Sequence, residues 1–292
     1  MKRYLWSVVY GVMLTAFTVY LALDTFVITR VYETAPDAAV PSAPQPRDPV
    51  VTANSYEDGI ISITIAEHRE HDTTIYVADV TLASPEYLRT ALAQGVYGRN
   101  VTQKTSAMAE DVGAILAING DYYGSRERGF VVRNGVLYRA TANRDAEALI
   151  IGADGSFTVV DESGADVQSL VDAGAQHILS FGPALVEKGE IVVTTEDEVG
   201  KAMADNPRTA IGIIDEGHYI LLVSDGRTDE SAGLTLYQLA EFMQGLGVQT
   251  AYNLDGGGSS TMVFMGEVIN NPTTNGRRIT ERSVSDIVYI GY

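Results

Sequence analysis

The 292-residue chain contains no cysteine, which removes disulfides, thiol nucleophiles and cysteine-ligated zinc from consideration. Histidine is almost as scarce. His68 and His71 lie close together, but no third or fourth ligand stands near them in sequence, and His177 and His218 are isolated. Basic charge is short as well: 20 Lys and Arg face 38 Asp and Glu, for a net charge of −18. Residues 1–49 balance four basic residues (Lys2, Arg3, Arg30, Arg47) against four acidic ones (Asp24, Glu33, Asp37, Asp48), so the whole excess belongs to residues 50–292. A body that acidic repels nucleic-acid phosphates and argues against DNA or RNA as a partner. No solenoid-type repeat is present.

One long apolar run is present. Residues 5–23 carry no charge, follow Lys2 and Arg3, and stop at Asp24. At 1.5 Å per residue the run spans roughly 28 Å, close to a hydrocarbon core. Basic residues before the run and none closely after it predict a cytoplasmic tail of residues 1–4 and an external remainder. The run exceeds the apolar core of a cleaved signal peptide, and no small-x-small site follows directly, so a transmembrane signal anchor is expected. Residues 24–49 read as a linker. Between Glu33 and Pro49 lie five of the nine prolines, the composition of a semi-rigid spacer that would hold the domain off the membrane. The globular domain is expected from Val50, with residues 50–113 as its N-terminal part and 114–292 as its core.

Within that domain, short β-type runs alternate with few helices. Residues 60–65, 74–82, 115–118, 210–214, 219–223, 249–254, 261–265 and 283–289 read as strands. Asn134-Gly135 supplies the positive φ of a type I′ hairpin, and Asp215 to His218 reads as a second hairpin turn. Thr235-Leu236-Tyr237-Gln238 is a capping box opening a helix, and Ser84-Pro85 predicts another helix running through Tyr87, Leu88 and Leu92. Hairpins dominate, so the fold class is α+β: a mostly antiparallel or mixed β-sheet with flanking helices, preceded by one transmembrane helix.

Three strand ends share a polar design. Residues 115–118 lead into Asn119-Gly120-Asp121, residues 221–223 into Ser224-Asp225-Gly226-Arg227, and Ala251-Tyr252 into Asn253-Leu254-Asp255-Gly256-Gly257-Gly258-Ser259-Ser260. Turns alone explain any one of these; three together point to a site built from strand ends. The three glycines form a candidate anion-binding nest, with Ser259 and Ser260 as added donors. The loop lacks the Walker spacing and its lysine. Arg208, Arg227 and Arg282 are candidate phosphate ligands, Arg208 at a strand mouth beside Thr209.

Asn119-Gly120-Asp121-Tyr122-Tyr123, Phe181-Gly182-Pro183-Ala184-Leu185-Val186, Pro207-Arg208-Thr209-Ala210-Ile211-Gly212, Asp225-Gly226-Arg227 and Asn253 through Thr261 occur in that order. Together they resemble the phosphodiester glycosidase family over about residues 114–292. Asp121 departs from the pattern, since many members place a glycine there. The resemblance implies hydrolysis of a sugar-1-phosphodiester, with N-acetylglucosamine as the expected sugar, in a cell-surface or exopolysaccharide glycan. Free sugar would be released and a phosphomonoester left. Because the motifs hold no histidine, acid–base work falls to carboxylates, and Asp255 and Asp225 are the candidates. Asn119, Asp121, Arg208, Thr209, Arg227, Asn253, Gly256, Gly257, Gly258, Ser259, Ser260 and Arg282 are the expected substrate contacts. No cofactor is required, although Asp225 and Asp255 could together hold Ca²⁺. Two other classes are open: a non-catalytic module binding anionic glycans, and metal-dependent cleavage on the far side of phosphorus.

Overall fold

The structure is a computed structural model describing residues 2–36, 48–144, 146–197 and 205–292. Most of the linker's proline-rich part, residues 37–47, lies outside the described residues. Strand pairings among the described residues are antiparallel throughout, as the hairpin-rich sequence implies.

The largest sheet has nine strands. At its centre, Thr250–Asn253, Thr209–Asp215, His218–Ser224, Thr73–Leu82 and Ile61–Glu70 lie side by side in that order. Period-two alternation gives this sheet two apolar faces. Along Thr73–Leu82, Ile75 and Val77 point to one side and pack with Leu236, Leu239, Ala240 and Met243 of the helix Leu236–Gly245. Tyr76, Ala78, Val80 and Leu82 point to the other and enter the main core. That helix starts at the expected capping box: the Thr235 hydroxyl accepts from the Gln238 amide at 3.1 Å, and Gln238 Oε1 accepts from the Thr235 amide at 2.9 Å.

Facing the main core are two five-stranded sheets. One contains Met262–Phe264, Leu116–Asn119, Asp286–Ile290 and Leu88–Leu92 as successive neighbours, and its outer face is covered by the short helix Thr105–Asp111 through Met108 and Ala109. The other holds Val131–Arg133, Ala175–Leu179 and Glu147–Gly152. Asn134 and Gly135, at φ 51° and 76°, make the tight turn expected of them.

Two expectations change. The helix expected from Ser84-Pro85 is a single 3₁₀ turn, Pro85–Tyr87, after which Leu88–Leu92 is a strand paired with Asp286–Ile290. Leu88 and Leu92 stand four apart, a spacing that suits one face of a helix and one face of a strand equally, and the tertiary pairing decides. The second change concerns the stretch 24–49. Arg30–Thr34 inside it is a strand paired with Val96–Arg99, only three residues after the helix Lys2–Phe26. The proline-rich segment therefore does not separate helix from domain.

Lys2–Phe26 is an exposed helix, and its Tyr4–Phe26 portion is long and apolar enough to cross a membrane.

Candidate active site

Antiparallel pairing brings the start of Thr209–Asp215 and the ends of His218–Ser224 and Thr250–Asn253 together at one end of the large sheet's central strands, with Thr209 opposite Val223 and Ala210 opposite Asn253. Asn119, closing Leu116–Asn119, reaches the same place from the facing sheet. Its Nδ2 donates to the Asp255 carbonyl at 2.6 Å, and its Oδ1 accepts from the Thr209 hydroxyl at 2.9 Å and the Thr261 amide at 3.2 Å. The three strand ends converge as the sequence pattern implies.

Between them opens a cleft of about 210 Å³. Of the expected site residues, Arg208, Arg227, Asn253, Asp255, Gly256, Gly257 and Arg282 line it; Phe181, Asn206 and Leu254 complete the wall. Among the described residues its fixed charges are three guanidiniums against one carboxylate, the reverse of the protein's overall balance.

Asp255 is nearly buried. Burial raises its pKa above the ordinary carboxylate range, and the Arg282 guanidinium opposes that rise. Arg282 Nη2 lies 3.2 Å from Asp255 Oδ2, while its Nε donates to the Ser259 hydroxyl at 2.9 Å. Arg227, in the left-handed region at φ 64°, donates to Asn206 Oδ1 through Nε at 3.1 Å and Nη2 at 2.8 Å. Burial and the neighbouring Arg282 lower the Arg227 pKa, as expected of cations crowded into one cleft. Arg208, buried, is steered by donation from Nε to the Leu234 carbonyl at 2.8 Å. Asn253 donates from Nδ2 to the Gly182 carbonyl at 2.8 Å, and its Oδ1 is a buried acceptor with no hydrogen-bond partner. An orphaned acceptor in a cleft wall carries a desolvation cost that a ligand's donor would relieve.

The other expected residues stand behind the wall. Asp225 has its carboxylate fully engaged: Oδ1 accepts from the Asn271 amide at 2.7 Å and Asn270 Nδ2 at 3.3 Å, and Oδ2 from Asn271 Nδ2 at 2.9 Å. It fixes the 270–271 turn and does not line the cleft. Asp121 is buried in an ion pair with Arg133 at 2.9 Å, and Arg133 also binds Asp286 at 2.7 Å. Burial and the Asp121 carboxylate beside it push the Asp286 pKa up, against the Arg133 guanidinium that holds it down. Asn119 and Thr209 bond each other and the loop backbone, and the Ser260 hydroxyl sits 3.2 Å from Thr209 Oγ1.

The glycine loop is partly committed within the fold. Its Gly257 amide donates to the Pro207 carbonyl at 2.8 Å, Ser259 to Gly256 at 3.3 Å and Ser260 to Gly257 at 3.2 Å, so three amides are committed within the fold. The glycines are there for close approach: a Cβ on Gly256 would meet the Pro207 carbonyl oxygen at 2.8 Å, and one on Gly258 would meet Thr274 Oγ1 at 2.3 Å. As for calcium, Asp225 stands behind the wall with both oxygens accepting N–H bonds, while Asp255 lines the cleft with Arg282 3.2 Å from its Oδ2.

Residues the sequence reading omitted include Tyr122, whose ring faces the Arg282 guanidinium at 5.9 Å, and Arg126, whose guanidinium lies 4.6 Å from the Phe181 ring centre. Phe181 stands within a recognisable motif block and could have been flagged; Asn206 carries no signal beyond adjoining Pro207.

An anion cleft with one raised carboxylate, set at the converging ends of antiparallel strands, defines a candidate hydrolase site of α+β class. The phosphodiester glycosidase family model matches residues 112–291, and the chain belongs to that family. It is 29% identical over 201 residues to the SPbeta prophage-derived uncharacterized protein YomE of Bacillus subtilis, covering 67% of this chain and 31% of that protein. It is also 29% identical over 191 residues to mouse N-acetylglucosamine-1-phosphodiester alpha-N-acetylglucosaminidase, covering 59% of this chain and 36% of that protein. The chain thus spans about a third of the length of these relatives. In fold it resembles the zebrafish N-acetylglucosamine-1-phosphodiester alpha-N-acetylglucosaminidase catalytic domain auto-inhibited by pro-peptide, with a TM-score of 0.63 at 21% identity over 91% of this chain and 89% of that one. A hypothetical protein from Synechocystis matches at a TM-score of 0.56 and 16% identity, over 79% of this chain and 62% of that one.

Proposed function

We propose that this protein hydrolyses a sugar-1-phosphodiester, with N-acetylglucosamine as the sugar, in a glycan of the cell surface or an exopolysaccharide. The observation that carries the reading is the charge reversal: three arginines and one aspartate line a cleft in a protein of net charge −18. Guanidiniums match phosphate oxygens in geometry and charge, and in a half-enclosed site they also stabilise charge that develops on a departing phosphate. The mouse relative's name specifies this sugar and this linkage.

Asp255 is the one carboxylate among the described residues that line the cleft, and it takes the proton of the attacking water. Water oxygen bonds to the anomeric carbon, the bond from that carbon to the phosphate oxygen breaks, and its electron pair leaves with the phosphomonoester. Phosphate is a good leaving group and needs no second carboxylic acid, so Asp225 can be spent on structure. A raised pKa makes Asp255 a stronger base than a solvated aspartate. The Asn253 Oδ1 acceptor takes a hydroxyl or amide donor from the sugar. No step requires a cofactor or calcium. The apolar helix anchors the domain with Lys2 and Arg3 on the cytoplasmic side.

Product analysis tests this. The full chain in detergent should release free sugar from the methyl phosphodiester of N-acetylglucosamine, leaving methyl phosphate, and from UDP-N-acetylglucosamine, leaving UDP. Sugar phosphate as product would place cleavage on the other side of phosphorus and refute the reading, and so would the absence of turnover.

A further inference from the structure

From the way the helix enters the domain, we infer that the cleft is held close to the bilayer surface and that its substrates are sugar phosphodiesters attached to the membrane. This rests on the proposed phosphodiester chemistry for the substrate's class, while the apposition rests on the proposed membrane helix and the geometry of its junction with the domain. The helix ends at Phe26, and the strand Arg30–Thr34 begins four residues later. That strand is paired to Val96–Arg99, with Arg30 opposite Arg99. The junction is pinned from the domain side: Asn100 Nδ2 donates to the carbonyls of Thr25 at 3.3 Å and Ile28 at 3.1 Å, and Arg30 pairs with Asp24. A flexible spacer would show none of these bonds.

The surface around the junction suits a bilayer interface. Val27, Ile28, Val31 and Tyr32 are exposed directly after the helix, the residues an interfacial zone accepts. Arg30 and Arg99 stand beside them, and Arg99 is ion-paired at 3.1 Å to Glu127, the neighbour of exposed Arg128. With Asp24 paired to Arg30 and Glu127 to Arg99, the acidic groups at this junction are neutralised, which lessens repulsion from anionic headgroups in an otherwise acidic domain.

The same junction leads to the cleft. The Asn100 amide donates to the Gly124 carbonyl at 3.0 Å. Two residues before Gly124, the Tyr122 ring faces Arg282, which holds Asp255; two residues after it, Arg126 lies over Phe181 of the cleft wall. Followed contact by contact, Asp255 is within about 30 Å of the helix end. A phosphodiester carried on a lipid, or on a short glycan attached to one, reaches that far, whereas a substrate far from the membrane gains nothing from the rigid junction.

The test uses the full chain in vesicles of phosphatidylcholine and phosphatidylglycerol, compared with a variant carrying 20 Gly/Ser residues inserted between Ile28 and Thr29. Such an insert adds a mean reach of about 25 Å. On the soluble methyl phosphodiester of N-acetylglucosamine, both proteins should turn over within twofold of each other. On the same sugar phosphodiester of a dialkylglycerol embedded in the vesicles, the insert should lower the rate about tenfold through lost effective concentration. Because the chain has no cysteine, a dye on Arg128→Cys reports distance independently, and energy transfer to a headgroup acceptor should fall at least twofold with the insert. Equal rates on the vesicle substrate together with unchanged transfer overturn the inference. Failure of both proteins on both substrates overturns the phosphodiester reading instead, while the transfer measurement still decides the apposition.

Discussion

Asp225 and Asp255 look alike in sequence, each following a strand and preceding glycine, and the structure gives them different surroundings. Asp225 accepts three N–H bonds from Asn270 and Asn271. Hydrogen bonds to a charged acceptor contribute about 1.5–3 kcal/mol each, and part is recovered when water or relaxation reaches the abandoned donors. Asp225→Ala should therefore cost about 3 kcal/mol, lowering Tm by roughly 6–12 °C for a domain of this size. Its folded fraction should keep kcat/KM within about tenfold of wild type. For Asp255 the sign is reversed. Burial raises its pKa in the fold above the unfolded value, so above that folded pKa the ionised carboxylate subtracts stability. Asp255→Asn should leave Tm at pH 7 unchanged or slightly higher, while kcat falls about 10²–10⁴-fold. Thermal unfolding of both proteins, read beside release of free sugar from the methyl phosphodiester, decides the matter. An Asp225→Ala protein that melts with the wild type yet turns over nothing would reverse the two assignments. An Asp255→Asn protein with full activity would remove the proposed base.

Arg282 favours the ionised form of Asp255, so Arg282→Gln should raise the Asp255 pKa further and move the ascending limb of kcat/KM against pH to higher pH; a shift to lower pH would contradict the pairing at 3.2 Å. Gly258→Ala places a methyl 2.3 Å from Thr274 Oγ1 and should cost about 1–3 kcal/mol in thermal unfolding, partly restored by Thr274→Ala. Loss of activity with Tm intact would instead make that glycine a ligand contact. Asn253→Ala should lower kcat/KM about 10–100-fold through the unmatched Oδ1, and the loss should vanish for the sugar analogue lacking the donor that meets it. Equal losses on every analogue in a deoxy and deacetylated series would assign Asn253 to structure alone.

What could be read from the sequence was what local chemistry settles. The Thr235 capping box, the Asn134-Gly135 turn and the polar strand ends need no distant partner to be recognised, and all three stand where they were expected. Where a residue's task depends on a partner far along the chain, the sequence is silent. Asp225 is structural because Asn270 and Asn271 fold over it, 45 and 46 residues away. Asp121 belongs to the core because Arg133 and Asp286 meet it there. The glycine loop looked like a nest because three glycines permit one, yet packing against Pro207 and Thr274 claims the same freedom. The stretch after the helix was read from its prolines, although the strand Arg30–Thr34 within it is held by Val96–Arg99, more than 60 residues on. A motif therefore places a polar residue near a site, while its hydrogen-bond saturation decides whether it faces substrate. By that criterion Asp255 and Asn253, with a raised pKa and an unmatched acceptor, are the residues the proposed reaction draws on beside the three arginines of the cleft.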